Sequence, residues 1–278
     1  MADAAVCLDR TCTHVRATEE VRRMRGGTQA HLIRCGEREY YVVKFLNNPQ
    51  GARVLANELL GTGLAAALGL PTPLAAVVNV GDQLIACTDD LVIQRGRGRV
   101  PCQAGPQFGS RYPGPPAETP VYDFLPNELL SGVSNLADFC GMFVFDKWTC
   151  NTDGRQAIFF RNQGDTHYQT QMIDQGYCFN ACEWNFPDAP LHALYSHGRV
   201  YQSVQGIDSF EPWLSRLEST MTRELLDDAA NEIPPEWYEF DEKSLAKLLE
   251  ILLRRRGMVR ELINSAHDSS AHPFPNWK

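Results

Sequence analysis

Lys44 lies inside the run YYVVKFL, residues 40–46, a stretch rich in β-branched and aromatic side chains. A lysine in such a strand either faces solvent or is buried beside an opposite charge, because an unpaired buried ammonium is too costly to keep. The next segment offers a partner. Residues 53–70, RVLANELLGTGLAAALGL, carry Leu55, Leu59, Leu60 and Leu64 at helical spacing, and Gly69 with Pro71 marks the stop. Glu58 stands on that helix. The spacing suits a salt bridge that ties the helix to the strand across one lobe.

The surroundings of this unit are strand-rich. Residues 30–35 (AHLIRC) and 40–46 read as a hairpin around the polar turn at residues 36–39. Residues 73–88 read as two more strands, with Gly81-Asp82 as the turn between them. Residues 95–120 then turn rich in Gly and Pro and read as an irregular connection. The remainder is mostly helical. Residues 135–149 (NLADFCGMFVFDKWT) predict a buried helix, and AIFFRN with YQTQMID predicts a hairpin around Gly164-Asp165. A helix is expected from near Asp208, then IPPEWYEF, then a final helix striped by Leu245, Leu248, Leu249 and Leu252. Arg254, Arg255 and Arg256 on it read as a solvated face. The fold class expected is α+β and two-lobed, with an N-terminal lobe over residues 1–94 and a helical C-terminal lobe over residues 95–278.

Composition narrows the function classes. With 26 basic and 34 acidic residues the net charge is −8, which leaves no electrostatic footprint for general nucleic-acid binding, and none is expected. The first residues lack a charged start followed by an apolar core, so no secretory leader is expected. No apolar run is long enough to span a membrane. The nine cysteines are odd in number, consistent with a cytoplasmic chain whose thiols are reduced. Cys7, Cys12 and His14 lie close, as do Cys178 and Cys182, but neither group has paired C-x-x-C zinc spacing, and they read as buried or surface residues.

Several residues are suited to chemistry. Gly26-Gly27-Thr28-Gln29 either point backbone N–H groups at an anion or form a plain hairpin turn. Asn151 and Asp153 sit in a polar stretch that follows the apolar helix, and Asp174 ends an apolar strand just before Gly176. Two such aspartates with a hairpin between them can converge on one site, one orienting a hydroxyl and one holding Mg²⁺. Alternatively each caps its own turn. In the irregular segment, Arg111 is suited to a phosphate or acidic group and Ser110 to a regulated loop hydroxyl. Trp184 and Phe186 either shape an acceptor pocket or pack in the core. The ordered set of Gly-rich turn, strand lysine, helix glutamate, loop aspartate and strand-end aspartate is more specific than any one member.

These motifs resemble one family. GGTQAHLI followed by YYVVKF is similar to the Gly-rich turn and lysine strand of HipA-like kinases, and NELLGTGLAAALGLPTP to that family's glutamate helix and its exit. FDKWTCNTDG resembles the entry to its catalytic loop, MIDQGYCF its metal-binding segment, and IPPEW also recurs late in such proteins. The resemblance covers most of the chain. It implies a two-lobed protein-kinase-like fold that binds ATP and Mg²⁺. Carried over by position, Gly26, Gly27, Thr28, Gln29 and Lys44 would contact ATP phosphates and Glu58 would pair with Lys44. Asp153 would be the catalytic aspartate and Asp174 the metal ligand. The implied reaction moves the γ-phosphoryl of ATP to a protein Ser/Thr hydroxyl. The alternatives are a small-molecule or lipid acceptor, adenylyl transfer, or a pseudokinase that holds nucleotide without turnover.

Two positions depart from the family pattern. Its histidine two residues after the catalytic aspartate is Arg155 here, and its metal-binding asparagine five residues after is Ile158, which cannot ligate a hard cation. Gln156 is a candidate substitute ligand. Asp146 with Asn151, also five apart, is a shifted alternative register; Thr152-Asp153-Gly154 fits the family tripeptide better.

Overall fold

Tyr41, Val43 and Phe45 alternate onto one side of their strand and join Ile33, Ala76, Val78 and Val80 in one apolar cluster. That alternation leaves Lys44 on the other side, toward the helix that follows. The computed structural model describes residues 13–162 and 164–278; Cys7 and Cys12 lie outside them.

Among the described residues, six strands form the N-terminal sheet: β1 (Thr13–Arg16), β2 (Glu19–Arg23), β3 (His31–Arg34), β4 (Tyr40–Lys44), β5 (Ala75–Val80) and β8 (Gly105–Arg111). Their order is β1-β5-β8-β4-β3-β2. The β3–β4 hairpin and β5 agree with the sequence reading. Helix α1 (Arg53–Ala67) does as well, and it packs against the sheet through Leu55, Leu59, Leu60 and Leu64.

Two sequence expectations are corrected here. The second strand expected in residues 73–88 is instead a short helix, α2 (Asp82–Ala86), started by extended Gly81 with Asp82 in the first turn. The segment read as an irregular connection begins inside a hairpin of β6 (Val92–Arg95) with β7 (Gly98–Pro101), and then holds β8, which lies between β4 and β5. Its Gly and Pro content masked a central strand. Gly109 is there for close approach: a Cβ would stand 2.4 Å from Val78 Cγ2 and 3.3 Å from Tyr41 Cδ1. Ser110 is accordingly a strand residue paired with Val42 and Ala75, not a loop hydroxyl. The strand-rich sheet therefore continues past residue 94, to Arg111.

Beyond it come β9 (Val121–Tyr122), α3 (Asn127–Leu130), α4 (Asp138–Thr149), β10 (Gln156–Phe160) and β11 (Gln169–Ile173). Helix α4 is buried from Phe139 to Thr149, as its unbroken apolar sequence predicts. β10 and β11 form the expected hairpin, extended by β9. The helix expected from Asp208 is broken into a 3-10 turn (Ile207–Phe210), α5 (Trp213–Thr220) and α6 (Arg223–Asn231). Thr222 restarts it as N-cap, its side chain accepting from Leu225 N. The final helix likewise divides into α7 (Glu242–Arg255) and α8 (Val259–His267). Arg255 is not on a solvated face. It is 4% exposed, donates to the carbonyls of Lys147 and Trp148, and makes a two-point pair with Asp188 at 2.7 Å. Trp237 of IPPEW is fully buried and donates to Pro106 O at 3.2 Å, joining the helical part to the start of β8.

Among the described residues, no helix is long and apolar enough to cross a membrane.

Candidate active site

β4 and α1 bring Lys44 and Glu58 together as the spacing requires: the ammonium bonds the Glu58 carboxylate, and both residues are buried. Lys44 Nζ also donates to Asp174 Oδ1 at 2.7 Å. Burial works against the Lys44 charge, but the two carboxylates outweigh it and push its pKa up. Burial likewise opposes ionisation of Asp174, yet the Lys44 ammonium holds its pKa down at about 2. Burial raises Glu58 to about 7, with Lys44 pulling in the other direction. Lys44 and Asp174 therefore stand as a charged pair at neutral pH.

Asp174 is delivered by the end of β11 in the left-handed region, φ 61°. For a non-glycine residue this costs about 1–3 kcal/mol and persists only where the surroundings impose it. Glu58 supplies part of that constraint, accepting from Gln175 N and Gly176 N at 3.0 Å. Position 176 must be glycine: a Cβ would meet Val54 Cγ1 at 2.7 Å and Glu58 Oε1 at 3.2 Å.

The loop after α4 lies against the same segment. Cys150 closes the helix in the left-handed region, and Thr152 N donates to Tyr177 O at 3.3 Å. Asp153 is exposed; its Oδ1 accepts from Gly154 N, and its own N–H donates to Asn151 Oδ1. Asp146 and Asn151 are buried and bonded to each other. Arg155 Nε donates to Asp146 Oδ2 at 2.7 Å, and Nη2 reaches Oδ1. The same guanidinium donates through Nη1 to Ile173 O and Gln175 Oε1, at 2.7 and 2.9 Å. Arg155 thus links the two aspartate-bearing segments from beneath.

A sequence model described as HipA-like kinase matches residues 18–265. The chain belongs to the HipA-like kinase family. No curated protein matches it by sequence. Solved structures match the fold. The Helicobacter pylori proinflammatory kinase CtkA aligns with TM-score 0.59 at 14% identity, over 93% of this chain and all of that one. The Golgi casein kinase aligns with TM-score 0.55 at 12% identity, over 93% and 75%. Its Mn/ADP-bound form gives TM-score 0.50 at 14% identity, over 93% of this chain and 75% of that one. The two-lobed kinase fold read from the sequence is thereby established.

Within this HipA-like kinase the remaining site positions fall as follows. The Gly26–Gln29 turn closes on a Gln29 N to Gly26 O bond of 3.2 Å. The Gln29 carboxamide pairs with the backbone of Gln94, donating to O at 2.9 Å and accepting from N at 2.7 Å, so it pins the turn to β6. Thr28 is buried. Gln156 is exposed at the start of β10, opposite Ile173, and Ile158 lies opposite Gln171. Arg111 is held by Glu39 at 2.9 Å. Trp184 is a packing residue: it is buried under the Arg53 guanidinium, 4.7 Å from its ring centroid, and donates to Asn57 Oδ1. Cys178 is buried, and burial pushes its thiol well up.

The donor set fits one divalent cation only in part. A hard cation takes oxygen ligands, often one or two carboxylates with phosphate oxygens completing the shell. Asp174 is ionised and partly exposed, with Oδ1 engaged by Lys44. Among the described residues no cluster of three His, Cys, Asp or Glu side chains stands ready as a cage.

Two residues were missed as site residues by sequence reasoning. Asn57 is given no role in the sequence reading, and Arg155 stands there only at a position where the resemblance implies a histidine. A polar residue on an apolar helix face, and an arginine preceding an apolar strand, are the signals that mark them.

Proposed function

We propose that this HipA-like kinase transfers the γ-phosphoryl of ATP to a protein Ser/Thr hydroxyl, and that Lys44, Glu58, Asp153 and Asp174 carry the reaction. The observation that carries the reading is the Lys44 ammonium held between Glu58 and Asp174. An ammonium fixed there, with one carboxylate buried and the other partly open, is built to meet phosphate oxygens beside a cation. The Mn/ADP of the Golgi casein kinase supports a metal-nucleotide ligand for the same fold.

In this reading the Gly26–Gln29 backbone covers the phosphates and Lys44 neutralises their charge. Asp174 would hold Mg²⁺, and Gln156 is the candidate second ligand. The bound cation supplies charge neutralisation at the transferring phosphoryl. Asp153 orients the acceptor hydroxyl and takes its proton as the new P–O bond forms and the β–γ bridge to ADP breaks. The exposure of Asp153 and the burial of Asp146 and Asn151 favour this register over the shifted one. We place the boundary between lobes after β8 rather than at residue 94, because β8 belongs to the N-terminal sheet.

Ile158 supports a second reading, a nucleotide-binding module without turnover. The test is label transfer from γ-labelled ATP to Ser/Thr peptides and, separately, to small hydroxyl compounds. Label on peptides supports the first reading and label on small molecules alone redirects the acceptor class. Bound nucleotide with no transfer to either supports the second.

A further inference from the structure

The segment after Asp174 is held in an unusual backbone state. Phe179, Asn180 and Ala181 are consecutive left-handed residues, with φ of 60°, 59° and 54°, and Trp184 follows at 48°. None is glycine, so each conformation is disfavoured on its own and must be imposed by neighbours. Phe179 is fully buried and its N–H donates to Thr149 O at 2.7 Å. The other constraint comes from one side chain of α1. Asn57, 1% exposed, donates through Nδ2 to the carbonyls of Gly176, Cys178 and Ala181 at 2.9, 3.0 and 2.8 Å. Its Oδ1 accepts from Trp184 Nε1 at 2.8 Å. Arg53, one helical turn earlier on the same face, covers the Trp184 ring and donates to Cys182 O.

We propose that Asn57 is a positioning residue for phosphoryl transfer: it fixes residues 176–184 and thereby sets Asp174 against Lys44 and Glu58. The inference rests on the kinase reading above. Asn57 and Glu58 are adjacent on α1 and grip the same strand end, Glu58 by its N–H groups and Asn57 by its carbonyls. Among the natural side chains a carboxamide is suited to both duties, since it donates to carbonyls and accepts from the indole at once. Replacing it by alanine leaves buried carbonyls and an indole N–H without partners. Aspartate removes the donors and adds a charge.

The test compares wild type with Asn57→Ala and Trp184→Phe; the latter removes the indole donor to Asn57 together with the pyrrole part of the ring system, and keeps a six-membered aromatic ring beneath Arg53. Hydrogen exchange of the amides of residues 176–184 reads the constraint without any need for activity. Asn57→Ala should speed exchange there at least tenfold while the amides of α4 keep their protection. Mn²⁺ affinity in the presence of a non-hydrolysable ATP analogue should weaken about tenfold, and kcat should fall more than tenfold with KM for ATP changed less than threefold. Trp184→Phe should change each in the same direction by less. Unchanged exchange over residues 176–184 in either folded variant overturns the proposal. So does faster exchange that leaves Mn²⁺ affinity and kcat at wild-type values. If Asn57→Ala does not fold, Trp184→Phe decides alone by the same readings. Wild-type protein that binds no Mn²⁺-nucleotide contradicts the kinase reading instead, while the exchange result still decides whether Asn57 holds the segment.

Discussion

Arg155 and Asp146 form a buried two-point ion pair, and neither side chain is exposed. The Asp146 charge and its hydrogen bonds keep the guanidinium charged against the cost of burial. Its remaining donors hold Ile173 O and Gln175 Oε1 on either side of Asp174. The pair is therefore a brace for the metal-binding aspartate proposed above.

Breaking this brace on one side leaves a buried charge without a partner. Arg155→Met should destabilise the fold by about 3–5 kcal/mol. The double variant Asp146→Leu/Arg155→Met should recover part of that loss, because the unpaired carboxylate is gone. Denaturant unfolding of the single and double variants checks this. A double variant no more stable than Arg155→Met contradicts the account of the pair.

The Lys44–Glu58 pair carries a pH dependence whose sign can be worked out. Burial raises Glu58 from an ordinary glutamate value to about 7. Between the two values the folded state holds a proton that the unfolded state lacks, so Glu58 favours folding progressively less as pH rises through that window. For function the direction is opposite: below about pH 7 Glu58 becomes neutral and its hold on Lys44 weakens. Asp174, held at about 2, stays ionised throughout, and its stabilising share is lost only as pH falls from the ordinary aspartate range through that value. Phosphoryl transfer should therefore show an acid limb near pH 7 that Glu58→Gln lacks. Identical limbs in both proteins would assign the titration to another group.

Ile158 stands on β10 opposite Gln171, in the hairpin whose other strand delivers Asp174. Placing there the asparagine that the family resemblance implies tests whether a cation belongs at this strand. Ile158→Asn should raise Mn²⁺ affinity of the nucleotide-bound protein severalfold, at a stability cost of about 1–3 kcal/mol for the polar group placed in a largely buried position. Electron paramagnetic resonance of free Mn²⁺ gives the affinity and thermal unfolding gives the cost. Unchanged or weaker binding means the cation lies away from this strand.

Local patterns in the sequence carried most of the architecture. β4, α1, α4 and the β10–β11 hairpin each have a clean period or an unbroken apolar run, and the Lys44–Glu58 pair follows from the strand and helix that hold it. β8 was illegible because Gly105, Pro106 and Gly109 look like a loop, and the need for a small residue beside Val78 and Tyr41 appears only once the strands are side by side. The α2 helix and the breaks after Thr220 and Arg255 depend on capping and packing that periodicity does not encode. In the site, the approach of Lys44 to Asp174 spans most of the chain, and the roles of Asn57 and Arg155 lie in carbonyls gathered from distant segments. Hydrogen bonds of that range leave no spacing signal.

The most direct test of the central claim is intact-mass spectrometry after incubation with ATP, Mg²⁺ and a mixture of Ser/Thr peptides, for wild type, Asp153→Asn and Asp174→Asn. The account predicts phosphoryl-sized additions to protein or peptide with wild type, reduced by about 10²–10⁴-fold in Asp153→Asn and likewise lost in Asp174→Asn. Wild-type additions of adenylyl size, or phosphoryl additions undiminished in Asp153→Asn, would contradict it.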